Sequence, residues 1–383
     1  MSPPRRVLLN LVGEQPMPCL IPILQYRPDV AVFLYSDRTA SQVADVCAAL
    51  DFVDELSPHF VRVQIDPARF IRSADIVPQV MANYPGSQFL FNLSGGTKLM
   101  ALSLYRAAEG RGDVLYVSAD DECIFRLQPD SIVKEPITVR VPADVYLRAH
   151  GAEIDPARSL DVTSLSPSHF KVARQVAQWV LGLEDWRRAL TRRSRVRPSS
   201  PFPARVSSPH PSPVEGAIVD LLARRGLVTR GRRGASFILE DHNTWAFLNG
   251  GWLEVYAFDV ARGIDPFHDC RVQVGIEHPE LGQNELDLIV MRGAVATICS
   301  CKTGNPPRGA AKVRLLNELE ARASALGAFC GKLLIISQPR QAYGESFIQR
   351  AGQMGIGVAT GEDLPGLAAL LERASRRKGK ASP

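Results

Sequence analysis

Short apolar runs separated by amphipathic stretches fill the first third of the chain. Val7–Val12, Val30–Ser36, Phe60–Ile65, Ser87–Leu93 and Asp113–Val117 are of strand length and rich in valine, leucine and phenylalanine. Between them, Ala40–Leu50, Ile71–Ala82 and Lys98–Glu109 place apolar residues at helical spacing, and Cys19–Gln25 is a further helical candidate interrupted by Pro22. Strands apolar along their whole length that alternate with helices predict a parallel sheet covered on both faces, an α/β fold of Rossmann type. The β-rich stretch Cys123–Val141 predicts antiparallel strands that finish this domain, and Val145–His150 closes it.

The pattern then changes. Phe170–Leu190 has helical periodicity, with Val172, Val176, Trp179, Val180 and Leu183 on one face. A dense basic run follows (Arg187, Arg188, Arg192, Arg193, Arg195, Arg197), then Pro198–Pro213, a Pro- and Ser-rich stretch that reads as an extended, mobile linker. Val214–Arg225 predicts a short helix, and Arg230–Leu239 a wing-like strand pair carrying Arg232 and Arg233. These arginines suit a strip that tracks phosphates, and equally a solvated helix end. From Asn243 the order is helix (Asn243–Asp259, broken at Gly250-Gly251), three strands, helix (Lys312–Phe329), strand (Lys332–Ser337) and two helices (Ala342–Met354, Leu364–Ala374). The expected organisation is residues 1–148, a connector over 149–240, and a second α/β domain over 241–383.

Two of those three strands carry the first candidate chemistry. Leu286–Met291 and Val295–Cys301 flank Gly293-Ala294, which suits a two-residue II′ hairpin loop. That register sets Arg292 against Val295, Asp287 against Ser300 and Glu285 against Lys302, and directly opposed residues share a face. Two acids, a hydroxyl and a lysine then converge, while Cys299 and Cys301 point to the opposite, buried face. The set could hold a divalent metal beside a phosphodiester. It could also be a solvated edge in which Glu285 and Lys302 form a cross-strand ion pair.

The second candidate lies at the strand ends of the first domain, where open α/β sheets bind ligands. Asn92-Leu93-Ser94-Gly95-Gly96-Thr97-Lys98 follows a strand and opens a helix. Backbone amides freed by two glycines, a helix N-terminus, Thr97 and Lys98 make an anion cradle; a tight turn that needs glycine for geometry alone is the plainer reading. Gly13-Glu14-Gln15 and Ser36-Asp37-Arg38 stand on the same rim.

Composition narrows the classes. A chain of 383 residues with 45% hydrophobic content suits two or three domains with sizeable cores. A net charge of +5 is only a weak pointer to an anionic partner. Seven cysteines fit a reducing cytoplasm, and Cys299-Ser300-Cys301 has no second pair to complete a zinc site. No apolar run reaches the length of a membrane span, so a soluble, cytoplasmic protein is expected. No two histidines are spaced as a metal pair, and no serine or cysteine has a nucleophile-elbow context.

The segment SGGTKLMALSLY (Ser94–Tyr105), together with the two rim loops, resembles the CRISPR-associated Rossmann fold (CARF) sensor family over about the first 145 residues. The resemblance implies a homodimer whose two cradles join to bind one cyclic oligoadenylate. Ser94, Gly95, Gly96, Thr97 and Lys98 would contact the ring, with Gly13, Glu14, Gln15, Ser36, Asp37 and Arg38 lining the pocket. The central hairpin resembles the PD-(D/E)xK restriction-like nuclease core: Asp287 matches its Asp and Lys302 its Lys, while Ser300 stands at the Glu position. Glu285 and Glu277 are candidates to compensate, and Glu254 matches the helical acid of that family. The resemblance thus implies catalytic roles for Asp287, Lys302, Ser300, Glu285 and Glu254, with Mg²⁺ or Mn²⁺ on Asp287, Glu254 and Glu285. Both halves together resemble the ancillary nucleases of type III CRISPR systems. The implied function is cleavage of single-stranded DNA, RNA or nicked duplex, switched on by a cyclic oligoadenylate, with the tetra-adenylate ring expected. A regulator that has lost catalysis, and an enzyme that degrades the ring itself, are the alternatives.

Overall fold

In the computed structural model the first sheet alternates sides as its sequence does. Arg6–Leu11 (β1), Val30–Tyr35 (β2), His59–Gln64 (β3), Gln88–Asn92 (β4) and Asp113–Ser118 (β5) run parallel in the order β3-β2-β1-β4-β5. The antiparallel strands Cys123–Gln128 (β6) and Ser131–Pro136 (β7) extend the β5 edge. Leu8, Ala31, Phe33 and Leu90 pack on one face, and Val7, Leu9, Val32 and Phe91 on the other, so each apolar strand serves two cores. The structure describes the whole chain except residues 1–4, 55, 57, 120, 129, 181–200, 207–212, 233–235, 305, 308, 328–329 and 377–383.

Helices Met17–Tyr26 (α1), Ala40–Leu50 (α2), Pro67–Ser73 (α3), Ile76–Ala82 (α4) and Lys98–Ala108 (α5) cover this sheet. Pro22 is accommodated inside α1. The single helix expected over 71–82 is instead two, because Ala74 adopts a left-handed conformation (φ 47°) and its N–H closes α3 onto the Phe70 carbonyl. The strand order reverses between β1 and β4, so the loops that leave them part and open a crevice between them.

The second sheet has the order β16-β15-β14-β13-β12-β8. Asp269–His278 (β12), Gly282–Arg292 (β13) and Val295–Lys302 (β14) are antiparallel, whereas Cys330–Ile336 (β15) and Gly357–Ala359 (β16) join in parallel. Glu153–Ile154 (β8) pairs with β12 at the far edge. The hairpin turns as its sequence predicts, with Gly293 at φ 59° and Arg292 opposite Val295.

The connector contributes helices Pro167–Trp179 (α7) and Pro213–Arg224 (α8) and a small sheet in which Thr229–Arg230 (β10) and Ala204–Val206 (β9) flank Phe237–Leu239 (β11). The wing-like pair is thus a hairpin with a third strand, drawn from the stretch that reads as a linker. The arginine run 187–197 lies outside the described residues. His242–Ala246 (α9) and Trp252–Ala261 (α10) meet through a π-helical turn at Phe247–Gly251, where the glycine pair breaks the α pattern. Ala310–Ala325 (α11), Glu345–Gln353 (α12) and Leu367–Ser375 (α13) complete the order. Among the described residues no helix is long and apolar enough to cross a membrane.

The two halves share one core. Leu8, Leu20 and Phe33 of the first belong to the same buried cluster as Ile289, Ile298 and Leu316 of the second. Ala143–Ala149 (α6) is the joint: Tyr146 Oη donates to the Leu326 carbonyl (2.7 Å), the Ala143 N–H to Asp269 (2.8 Å), and Asp144 pairs with Arg271. Removing the Tyr146 hydroxyl leaves a buried carbonyl without that donor. Tyr146→Phe is expected to lower stability by about 1 kcal/mol, read as a drop in denaturation midpoint with an unchanged denaturant slope.

Candidate functional site

Asp287 is nearly buried at the end of the central hairpin, and one of its oxygens is crowded with donors. Oδ2 accepts from Lys302 Nζ (3.1 Å), the Cys301 N–H (2.7 Å) and Ser300 Oγ (3.2 Å). No protein donor reaches Oδ1 among the described residues. Ser300, at the position where the family pattern has an acid, is thus a hydrogen-bond donor to Asp287. Cys299 and Cys301 are buried in the core on the α10 side.

The expected pairing of Glu285 with Lys302 is not found. The β13–β14 ladder ends at Leu288–Cys299, Lys302 turns to Asp287, and Glu285 faces Gly275 on β12. The reason is a departure from strand alternation. The opposed pair Val272–Leu288 packs in the α10 core, yet Val274–Leu286, which a regular ribbon would place on the same face, packs in the core shared with the first domain. Between them Gln273 has φ 49°. The ribbon turns over there, and Gln273 Nε2 donates to Glu254 of α10.

Three carboxylates therefore lie within electrostatic reach. Burial pushes the Glu254 carboxyl up to about 7, and the nearby Asp287 charge adds to this. Glu285, at the exposed rim, is pushed up by desolvation and then by Asp287. Glu277 is exposed on β12, opposite Gln283. Among the described residues no three of His, Cys, Asp and Glu stand close enough to enclose a metal. The donor set, Glu254 with the free oxygen of Asp287, fits an ion that keeps several waters, as Mg²⁺ does.

At the crevice between β1 and β4 the glycines are required by contact. A β-carbon on Gly95 would fall 2.0 Å from the Leu11 carbonyl oxygen and 2.6 Å from the Gly13 nitrogen; Gly96 has φ 69°. The loops after β1 and β4 are thereby locked together. Thr97 caps α5 through Met100 N (3.3 Å), and Lys98 is exposed. Ser94 Oγ is used internally, donating to Asn92 (2.6 Å) and accepting from Val117 N (2.7 Å). Glu14 and Arg38 form an exposed ion pair (3.7 Å), Asp37 accepts from Gln64, and Ser36 caps the turn at Thr39. Gln15 Oε1 lies at the joint, against Gly327 of the second half.

Gln273, Asn10 and the pairing of Asn10 with Asn92, which opens the cradle segment, escaped the reading of the sequence. A lone glutamine in a strand carries no signal, so Gln273 could not be found. The Asn10–Asn92 pair could have been: each asparagine follows an apolar run in its strand, at the same height. They are fully buried and paired side by side, Asn92 Nδ2 donating to Asn10 Oδ1 at 2.9 Å, with Asn10 Nδ2 left without a partner among the described residues.

Fold and sites together define a Rossmann-type sensor fused to a restriction-like nuclease domain. Residues 7–143 match the Card1 CARF domain, and residues 241–378 the Card1-like endonuclease domain. The chain thus carries a Card1 CARF domain followed by a Card1-like endonuclease domain, the architecture of type III CRISPR ancillary nucleases. Among solved structures it resembles protein VC1899 from Vibrio cholerae, with 17% identity, a TM-score of 0.83 and coverage of 98% of this chain and 99% of that one. It also resembles Can2 from Sulfobacillus thermosulfidooxidans, solved with cyclic tetra-adenylate, at 19% identity and TM-score 0.75 over 97% of this chain and 99% of that one. A type III CRISPR defence DNA nuclease activated by cyclic oligoadenylate aligns with 16% identity and TM-score 0.53, over 88% of this chain and 46% of its own. At these identities the likeness is one of fold. No curated protein matches the sequence.

Two outcomes follow from the geometry. Gly95→Ala drives a methyl group into backbone that cannot yield, so the variant is expected to lose about 1–3 kcal/mol of stability, seen as a lower melting temperature. For Glu254, the folded chain keeps a proton that the unfolded chain (ordinary value 4.5) has released. Stability should therefore fall as pH rises from about 4.5 to about 7, by on the order of 3 kcal/mol, with Glu285 adding in the same direction. Thermal melts of metal-free protein across that range should show the decline, and Glu254→Gln should flatten most of it.

Proposed function

We propose that this protein is a metal-dependent endonuclease switched on by a cyclic oligoadenylate, with the tetra-adenylate ring as the activator. The observation that carries the reading is the meeting of Asp287 and Lys302 at 3.1 Å inside a Card1-like endonuclease domain. The glycine-locked crevice of the CARF domain supports the sensing half, as does the ring bound to Can2, whose fold is shared along nearly the whole chain.

Glu254 and Asp287 would hold Mg²⁺ or Mn²⁺, with Glu285 near enough to act through water. The ion, when bound, supplies Lewis acidity at the phosphoryl oxygens. The protein's own groups do the rest. Ser300 Oγ and the Cys301 N–H fix the Asp287 carboxylate through one oxygen. Lys302, partly exposed, keeps ammonium protons free to orient a water or to meet charge on the phosphorane. Gln273 holds the Glu254 carboxylate. In the sensor, the amides of Gly95 and Gly96 with Lys98 would take ring phosphates, and the loops at Gly13-Glu14 and Ser36–Arg38 would wall the pocket.

A homodimer fits this reading. Leu99, Leu102 and Tyr105 line one face of α5 and are 58%, 60% and 43% exposed, directly beyond the cradle. Covering that stripe with a second copy would bring two cradles together. A cytoplasmic location and single-stranded DNA, RNA or nicked duplex as substrate go with the family architecture. One observation favours a second reading, a nucleic-acid-binding regulator without catalysis: the carboxylate missing at Ser300.

A nicking assay with Mn²⁺ and cyclic tetra-adenylate separates the two. Cleavage is expected to require both, to stop with a chelator, and to fall on the order of 100-fold or more in Asp287→Asn and Lys302→Ala. Ring binding without cleavage in any divalent metal would leave the regulator.

A further inference from the structure

We propose that Arg158 is a substrate-binding residue that grips a phosphate of the nucleic-acid strand beside the one that is cut. The proposal rests on the nuclease reading and adds to it a contact that no carboxylate or lysine of the candidate centre supplies.

The position of Arg158 is set by backbone. After β8, residues 155–160 continue along β12: the Asp155 N–H donates to the Gly275 carbonyl (2.9 Å), Ser159 Oγ accepts from the Gly275 N–H (3.0 Å), and the Leu160 N–H donates to the Gln273 carbonyl (2.9 Å). Ser159 Oγ also donates to the Asp155 carbonyl, closing the turn on itself at 2.7 Å. Gly275 has no side chain because Arg158 occupies the space; a β-carbon there would stand 2.6 Å from Arg158 Cβ and 3.0 Å from its carbonyl carbon. Gly275 is directly opposed to Glu285, so Arg158 sits over the same side of the ribbon as the Glu285 carboxylate, two residues along the strands from Gln273 and Asp287. The neighbouring Val274–Leu286 pair faces the shared core, away from it.

A structural arginine held this firmly would spend its five donors on the protein. Arg158 does not. It is exposed, makes no ion pair among the described residues, and gives one long hydrogen bond, 3.4 Å to the Asn284 carbonyl. Its charge nonetheless acts on Glu285, as does that of Arg322 on the last turn of α11. An open guanidinium fork on a rigid platform, beside acids expected to gather a cation, matches the geometry and charge of a phosphate in a bound strand.

The test is binding of a fluorescein-labelled single-stranded DNA, and of the matching RNA, to the full-length protein with cyclic tetra-adenylate in Ca²⁺, titrated over a salt series. Arg158→Ala is expected to weaken binding five- to tenfold and to reduce the slope of log K against log[salt] by roughly 0.7, the value for one phosphate contact on a single strand. Arg158→Lys should restore the slope. Gly275→Ala, which pushes the platform away, should behave as Arg158→Ala, and all three should keep the ring-induced thermal shift. A role confined to holding the 155–160 segment would lower the melting temperature and leave the slope at its wild-type value, and that result overturns the proposal. A wild-type chain that binds neither strand overturns it together with the nuclease reading. A wild-type chain that binds and cuts, while Arg158→Ala keeps the wild-type slope, overturns this proposal alone.

Discussion

At Gln273 the central ribbon of the second domain turns over, and the chemistry of that domain depends on it. A residue other than glycine in the left-handed region costs about 1 kcal/mol, and such strain persists only where neighbours hold it. Here the Leu160 N–H takes the Gln273 carbonyl and Glu254 takes the side-chain amide. In exchange, Val274 and Leu286 are delivered to one core while Val272 and Leu288 stay in the other. Acids can then collect between two well-packed layers without opening either. A flat hairpin would have set Glu285 against Lys302 as a plain surface pair; the reversal gives the lysine to Asp287 and frees Glu285 for the rim.

The sensor crevice is organised by contact instead of by charge. Gly13, Gly95 and the Leu11 carbonyl are in mutual van der Waals contact, so the two loops at the point of strand reversal behave as one body. Buried beneath them, Asn10 and Asn92 tie β1 to β4 and pass hydrogen bonds through Ser94 to Val117 on β5. A ligand seated on the glycines would thus press on the middle of the sheet. Gln15, at the end of the same loop, already reaches the second half at Gly327.

Much of this was legible in the sequence because it depends on local pattern. Wholly apolar runs made the parallel sheet readable, and α2 begins and ends where its periodicity does. Gly293 fixed the hairpin register, and with it the nearness of Ser300 to Asp287, whereas the partner it implied for Lys302 was Glu285. The losses share one cause. Period-two reasoning assumes that every residue of a strand is extended, and it fails at Gln273, which is left-handed without being glycine. The same blindness joined α3 to α4 across Ala74. Arg158 belongs to a segment whose place is decided by contacts with Gly275, more than a hundred residues away in sequence, and no local pattern records that.

The shared core carries a mechanical consequence. Leu8 and Phe33 of the sensor are packed in the same cluster as Ile289 and Leu316 of the nuclease half, with α6 bonded to both. Parting the two halves of a chain packed this way would open a cavity in its own interior. Signals cannot be passed by swinging one half on the other. Were a ligand at one end to shift the chain, the two halves would move together, as the arms of a rigid lever do.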